Sequence, residues 1–177
     1  MSTNSKVIDI KDYEKLLCAS WDLQNSLSAL EFLLEECDYE LAYTRVQVRK
    51  FKAFEDKAII SFFKAYLDSP GNVVNKCAGV KLTVTEKQLC KRVRVLRNKI
   101  VAHTDEDFTH FRVDSIEVGD ETYFPIQNFE EKLFFGFREV LGFQDLIKKI
   151  MRYVCKFLFE EIQRNPTIRN HYKKPNE

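Results

Sequence analysis

The sequence predicts a mainly α-helical fold: an up-and-down four-helix bundle with a small β-hairpin inserted before the last helix. Three observations lead there. Apolar residues recur every three or four positions over long stretches, the rhythm of helices that bury one face. Gly and Pro are scarce, five and four in 177 residues, whereas folds made of many short strands spend both on their turns. Apolar and polar residues alternate only in the stretches that flank Gly119-Asp120, which is the signature of a hairpin. The composition, 45% hydrophobic and 31% charged, is that of a globular chain and not of a disordered one. The length suits one domain. We expect it to span residues 9–165, after a frayed N-terminus at 1–8 and before a flexible basic tail at 166–177.

The first helix is predicted to start after Asp9, a good N-cap. It carries Leu16, Leu23, Leu27, Leu30, Leu34 and Cys37 on one face. A second runs from about Asp38 to Leu67, where Ser69-Pro70-Gly71 stops it. A single helix over 9–67 would be about 88 Å long, against a radius of gyration of about 16 Å for a compact chain of this size. The chain must therefore fold back, near Cys37-Asp38. A loop is expected over 69–84. The third helix is announced twice, by Thr83 with Glu86 and by Thr85 with Gln88, each fitting a capping box, and runs to about His103. Phe-Arg-Val-Asp-Ser-Ile-Glu-Val and Glu-Thr-Tyr-Phe-Pro-Ile form the hairpin, at about 109–126, with Pro125 restricted to an edge. Residues 128–137 are ambiguous. The last helix spans about Phe143 to Gln163, and Pro166 ends it.

Several function classes drop out early. No apolar run reaches the length of a membrane span, and the opening residues have no apolar signal core, so a cytoplasmic protein without a membrane partner is expected. Cys18, Cys37, Cys77, Cys90 and Cys155 are odd in number and widely spaced. They show neither a disulfide framework nor zinc spacing and read as core fillers. No metal or cofactor is expected. The formal charge of +1 leaves nucleic-acid binding to a local patch.

The third helix holds that patch. Lys87, Lys91, Arg94 and Asn98 fall at spacings of four, three and four, a basic-polar stripe able to follow phosphates, and Lys99 adds a further cation. Leu89, Val93, Leu96, Ile100 and His103 form a separate stripe with the same rhythm. By spacing alone, the first stripe also fits a solvated face and His103 a core histidine.

Arg97-Asn98-Lys99-Ile100-Val101-Ala102-His103, followed by Thr104-Asp105, resembles the signature of the HEPN superfamily, the nucleotide-binding domains of higher eukaryotes and prokaryotes. The wording is most similar to the branch found in phage abortive-infection systems. The resemblance implies a helical bundle, usually dimeric, and a metal-independent endoribonuclease acting as a defence or stress effector, possessing in some systems an antitoxin or regulatory partner protein. It implies catalytic roles for Arg97, Asn98 and His103 and an RNA substrate. One family variant carries a Tyr two residues after the His and is nucleotidylated there by its antitoxin; here that position is Asp105. A second Arg-Asn…His run, Arg164-Asn165…His171, contains Pro166 and lies past the last apolar helix.

On one straight helix Arg97 and His103 stand about 120° apart around the axis and about 9 Å apart along it. A two-fold dimer solves this by gathering two His and two Arg in a shared cleft. The ribose 2′-OH supplies the nucleophile, so no Ser or Cys is required. Imidazole can act as base or acid near neutrality, and Arg97 can clamp the phosphate. No Gly-rich phosphate loop, zinc-spaced His pair or nucleophile elbow competes. Glu35-Glu36 and Glu160-Glu161 read as solvated pairs, and Trp21, Tyr39 and Tyr43 as core, interface or base-stacking aromatics. The other function class is a non-catalytic dimeric helical module that binds nucleic acid or a protein partner.

Overall fold

The computed structural model describes residues 8–68, 72–101, 111–129, 132–165 and 168. The described chain is mainly helical. Helix α1 (Ile10–Glu36) opens at Asp9, whose carboxylate accepts the Lys11 amide, and closes with the Cys37 amide donating to the Leu33 carbonyl. Helix α2 (Arg45–Phe62) begins seven residues later than the apolar pattern suggests. A tight turn takes up the interval: the Tyr43 hydroxyl accepts the Asp38 amide, and the Asp38 carboxylate accepts the Glu40 amide. Thr44 and Gln47 then form a reciprocal capping box, a Thr-x-x-Gln signal present in the sequence.

The two helices run antiparallel, because their partners descend α1 as they climb α2. Glu36 pairs with Lys50, Ser26 Oγ donates to the Ala58 carbonyl at 2.7 Å, and Asp22 pairs with Lys64 at 3.1 Å. Helix α2 widens into a π-helical turn at Phe63–Leu67. The expected loop at 69–84 holds a short helix, α3 (Val73–Ala78), which corrects that reading. The Asn72 carboxamide oxygen caps it by accepting the Val74 amide, and Gly79 ends it in the left-handed region at φ 58°. Lys76 ties it to Asp12 of α1 at 2.6 Å.

Helix α4 (Val84–Val101) starts with the first of the two boxes: the Thr83 amide donates to Glu86 and the Glu86 amide to Thr83. Strands β1 (Phe111–Val118) and β2 (Glu121–Phe129) pair antiparallel around Gly119, which sits at φ 67°. The register slips between Asp114 and Ile116, opposite Pro125, which has no amide to donate. Helix α5 (Phe137–Arg164) starts six residues before the predicted Phe143, from Gly136, whose amide donates to the Glu139 carboxylate. It runs antiparallel to α4, with Glu86 held by Lys149 and Arg92 by Glu139.

Helix α1 packs against both α2 and α5. The core lies where Leu16, Leu23, Leu30 and Leu33 of α1 meet Ile59 and Phe62 of α2 and Phe143, Ile147, Ile150 and Val154 of α5. Phe62 meets Phe143 edge to face at 5.0 Å, a favoured aromatic geometry. Three sequence readings need correction. Cys37 and Cys90 are buried, but Cys18 and Cys155 are exposed, so the cysteines are not all core fillers. Glu161 is buried beside Arg164 rather than solvated, because Arg164 lies within reach one turn along. Ile168, within the tail expected to be flexible, is buried against the core. The rest of that tail, and residues 1–7, fall outside the described residues.

Candidate functional site

Helix α4 separates its side chains as the two stripes require. Val93 and Leu96 are buried, and Leu89 and Ile100 are half-buried against the core. Lys87, Lys91, Arg94 and Asn98 all lie exposed on the other side. Arg97 and Lys99 are half-buried at the margins. This division follows from the spacing: positions three and four apart share a face, and the face with β-branched and Leu residues is the one that leaves water.

Within the exposed stripe the cations differ in their surroundings. Arg94 Nη2 donates to the Leu67 carbonyl at 3.3 Å, across to the π turn. Arg97 places its guanidinium 4.6 Å over the Phe63 ring and donates from Nη1 to Asn98 Oδ1 at 3.3 Å. Lys87 and Lys91 project from the open surface. The structure thus brings Arg97 and Asn98 into contact and sets Arg94 one turn away. His103, with Thr104 and Asp105, lies outside the described residues. Arg92, a further cation of this helix, is committed elsewhere: it pairs with Glu139, donates to the Phe134 carbonyl and lies 4.8 Å over the Phe135 ring.

Nucleophilic catalysis by the cysteine of this helix is disfavoured. Burial pushes the Cys90 thiol up to about 11, so it stays protonated at neutral pH. Among the described residues no group of three His, Cys, Asp or Glu side chains is placed to hold a metal ion, and no helix is long and apolar enough to cross a membrane. Of the aromatics singled out, Trp21 is 65% exposed on α1, Tyr43 serves the turn after α1, and the Tyr39 hydroxyl is buried without a hydrogen-bond partner among the described residues.

One ionisable residue escaped the sequence reading. Glu55 of α2 is fully buried and accepts the Phe134 and Phe135 amides at 2.8 and 2.7 Å. Burial pushes its carboxyl up to about 7, while the two amides and the Lys52 ammonium pull the other way. Lys52 also sits 3.5 Å from the centre of the Phe134 ring. Residues 134–135 are thereby fastened from α2 by Glu55 and from α4 by Arg92, just ahead of α5. The sequence signal was available: Glu55 occupies the apolar stripe of Phe51, Ala58, Ile59 and Phe62, where a charge needs a partner.

The fold and this surface define a class: a mainly helical protein whose fourth helix buries an apolar seam and presents a basic stripe with a paired Arg and Asn. Compared with protein-family models, with curated proteins and with solved structures, the chain matches none.

Proposed function

We propose that the chain is a metal-independent endoribonuclease of the HEPN type, working as a homodimeric defence or stress effector within the cytoplasm. The observation that carries this reading is the Arg97–Asn98 contact on a helix whose exposed positions include Lys87, Lys91 and Arg94, in the sequence frame that ends at His103. In the same reading the helices form an up-and-down four-helix bundle with the hairpin inserted before its last member.

The 2′-OH of RNA attacks the adjacent phosphorus. His103 of one copy takes the hydroxyl proton, and His103 of the other gives a proton to the departing 5′-oxygen. The P–O5′ bond breaks as the P–O2′ bond forms, leaving a 2′,3′-cyclic phosphate and a 5′-hydroxyl. Arg97 binds the non-bridging oxygens as negative charge builds on them. Asn98 orients Arg97 through the bond described above. Lys87, Lys91, Arg94 and Lys99 hold flanking phosphates. A regulatory or antitoxin protein fits the same reading as a partner. The direct test is incubation of the purified protein with total RNA in EDTA, beside His103→Ala.

A second reading is favoured by one observation. Arg94 and Arg97 both touch the π turn, which is what a helix used for structure in a non-catalytic module that binds nucleic acid or protein would do. Cleavage of RNA in EDTA separates the readings, and three further measurements test the surface and the dimer they share. RNA affinity should fall with salt with a log–log slope of around −2 to −3, as expected for three or four phosphate contacts on a single strand. Lys91→Glu with Arg94→Glu should abolish binding while the helical circular dichroism stays intact; unchanged affinity would leave the stripe as solvated surface. Light scattering at micromolar concentration should give about twice the chain mass, and a stable monomer would remove the shared cleft.

A further inference from the structure

A helix that widens into a π turn loses hydrogen-bond geometry, and such turns recur at functional sites. The π turn at Phe63–Leu67 is held from two sides. Asn72 donates its side-chain amide to the Ala65 carbonyl at 3.1 Å, and the Tyr66 hydroxyl donates to Asn75 Oδ1 at 2.8 Å, both toward α3. From α4, Arg94 reaches the Leu67 carbonyl. Carbonyls at the end of a helix lack partners within it, so these side chains satisfy groups that the ladder leaves free. Phe62 points into the core against Phe143. The next residue on a helix is turned by about 100°, which takes Phe63 out of the core and toward α4. Its half-buried ring is what the Arg97 guanidinium lies over.

A guanidinium attracted to an aromatic face is held through the ring quadrupole, and its N–H donors remain for other partners. One of them goes to Asn98. A long side chain ordered before the ligand arrives loses less freedom on binding, and a group held in place contributes more to the reaction. We propose that Phe63 is the positioning residue of Arg97, holding its guanidinium ready at the surface of α4 for a phosphate of RNA. The role rests on the ribonuclease reading above. It explains why a half-buried ring lies beneath the motif arginine, and it places the π turn in the site although no residue of that turn belongs to the motif.

The test compares Phe63→Leu, which keeps an apolar side chain, with Phe63→Tyr, which keeps the ring, in wild-type and Arg97→Ala backgrounds. Cleavage of a fluorescent RNA oligonucleotide in EDTA is expected to fall roughly ten- to hundredfold in kcat in the Leu variant, more than KM changes, and to be rescued in the Tyr variant. In Arg97→Ala the Leu substitution should cost nothing further, because a residue that acts through Arg97 has nothing left to act on. Losses that add, or a Tyr variant as poor as Leu, overturn the proposal. A second readout needs no substrate: the Arg97 Nε–H proton resonance should show a ring-current shift that disappears with Leu and persists with Tyr. A shift unaffected by Leu also overturns it. Wild-type protein inert on RNA with the ring-current shift intact overturns the ribonuclease reading, and the part of Phe63 in positioning Arg97 for RNA with it. Active wild type with additive losses overturns the positioning role alone.

Discussion

RNA cleavage by His103→Ala is expected to fall by at least about 100-fold, the usual loss when a general acid or base is removed. Arg97→Ala should cost a similar factor, on the order of 3 kcal/mol of transition-state stabilisation. The two losses have different origins. An imidazole is replaceable only in part by water, because proton transfer needs a group that titrates near the working pH. A guanidinium stabilises charge that appears only as the phosphorus is attacked, so its loss should appear in kcat more than in KM. Arg97 is half-buried over Phe63 and bonded to Asn98, so its truncation removes an exposed margin of α4 and no part of the core. Thermal unfolding of both variants should stay close to wild type. Dimer mass must be recorded with activity, because His103 is placed by spacing on the apolar stripe. Cleavage should survive EDTA and fail on a strand whose scissile ribose lacks the 2′-OH. Activity on DNA, or activity lost with the chelator, would sink the mechanism.

The largest effect on stability is expected at Glu55. Glu55→Ala strands the two amides of Phe134 and Phe135 in a site closed to water, and each orphaned donor costs about 1–3 kcal/mol. We expect a loss on the order of 3 kcal/mol in urea unfolding at pH 5.5. The pH dependence has a definite sign. The carboxyl is raised to about 7 from an ordinary 4.5, so the folded state holds the proton more tightly than the unfolded chain. The stability this brings is complete below about pH 4.5 and is lost as pH rises through 7. Lys52 and Asp56 on α2 bear on the carboxyl with opposite signs, and Cys37 and Tyr39 feel its charge from the turn after α1. The gap between wild type and Glu55→Ala should therefore narrow between pH 5.5 and 8.5. A gap that widens would mean that the two amides, and not burial, decide the charge of Glu55.

Where a helix start depends on a local side-chain bond, the sequence was readable. Asp9 and the Thr83–Glu86 box open α1 and α4 where their spacing says. The fold-back after Cys37 followed from chain dimensions alone. Misreadings came where apolar rhythm was trusted over caps. Helix α2 waits for Thr44-x-x-Gln47, and α5 begins just after Gly136, where Glu139 caps it. The short α3 owes its existence to contacts distant in sequence, Lys76 with Asp12 and Asn72 with Ala65, which no local pattern announces. The same holds at the candidate site. The exposed stripe of Lys87, Lys91, Arg94 and Asn98 was legible from period. The ring beneath Arg97 belongs to another helix, 34 positions earlier in the sequence, and could not be read from the motif.

The fastening of residues 134–135 also bears on how the chain tolerates change. The approach to α5 is gripped by Glu55 and Arg92, so the position of that helix is set by α2 and α4 and not by the length of chain leading into it. The hairpin of β1 and β2 is relieved of any duty to measure the distance between α4 and α5. Lengthening a surface connection costs only about 0.6 kcal/mol in closure entropy per doubling. Insertions and deletions should therefore accumulate there while the helices keep their registration, making this segment the natural place for related chains to diverge.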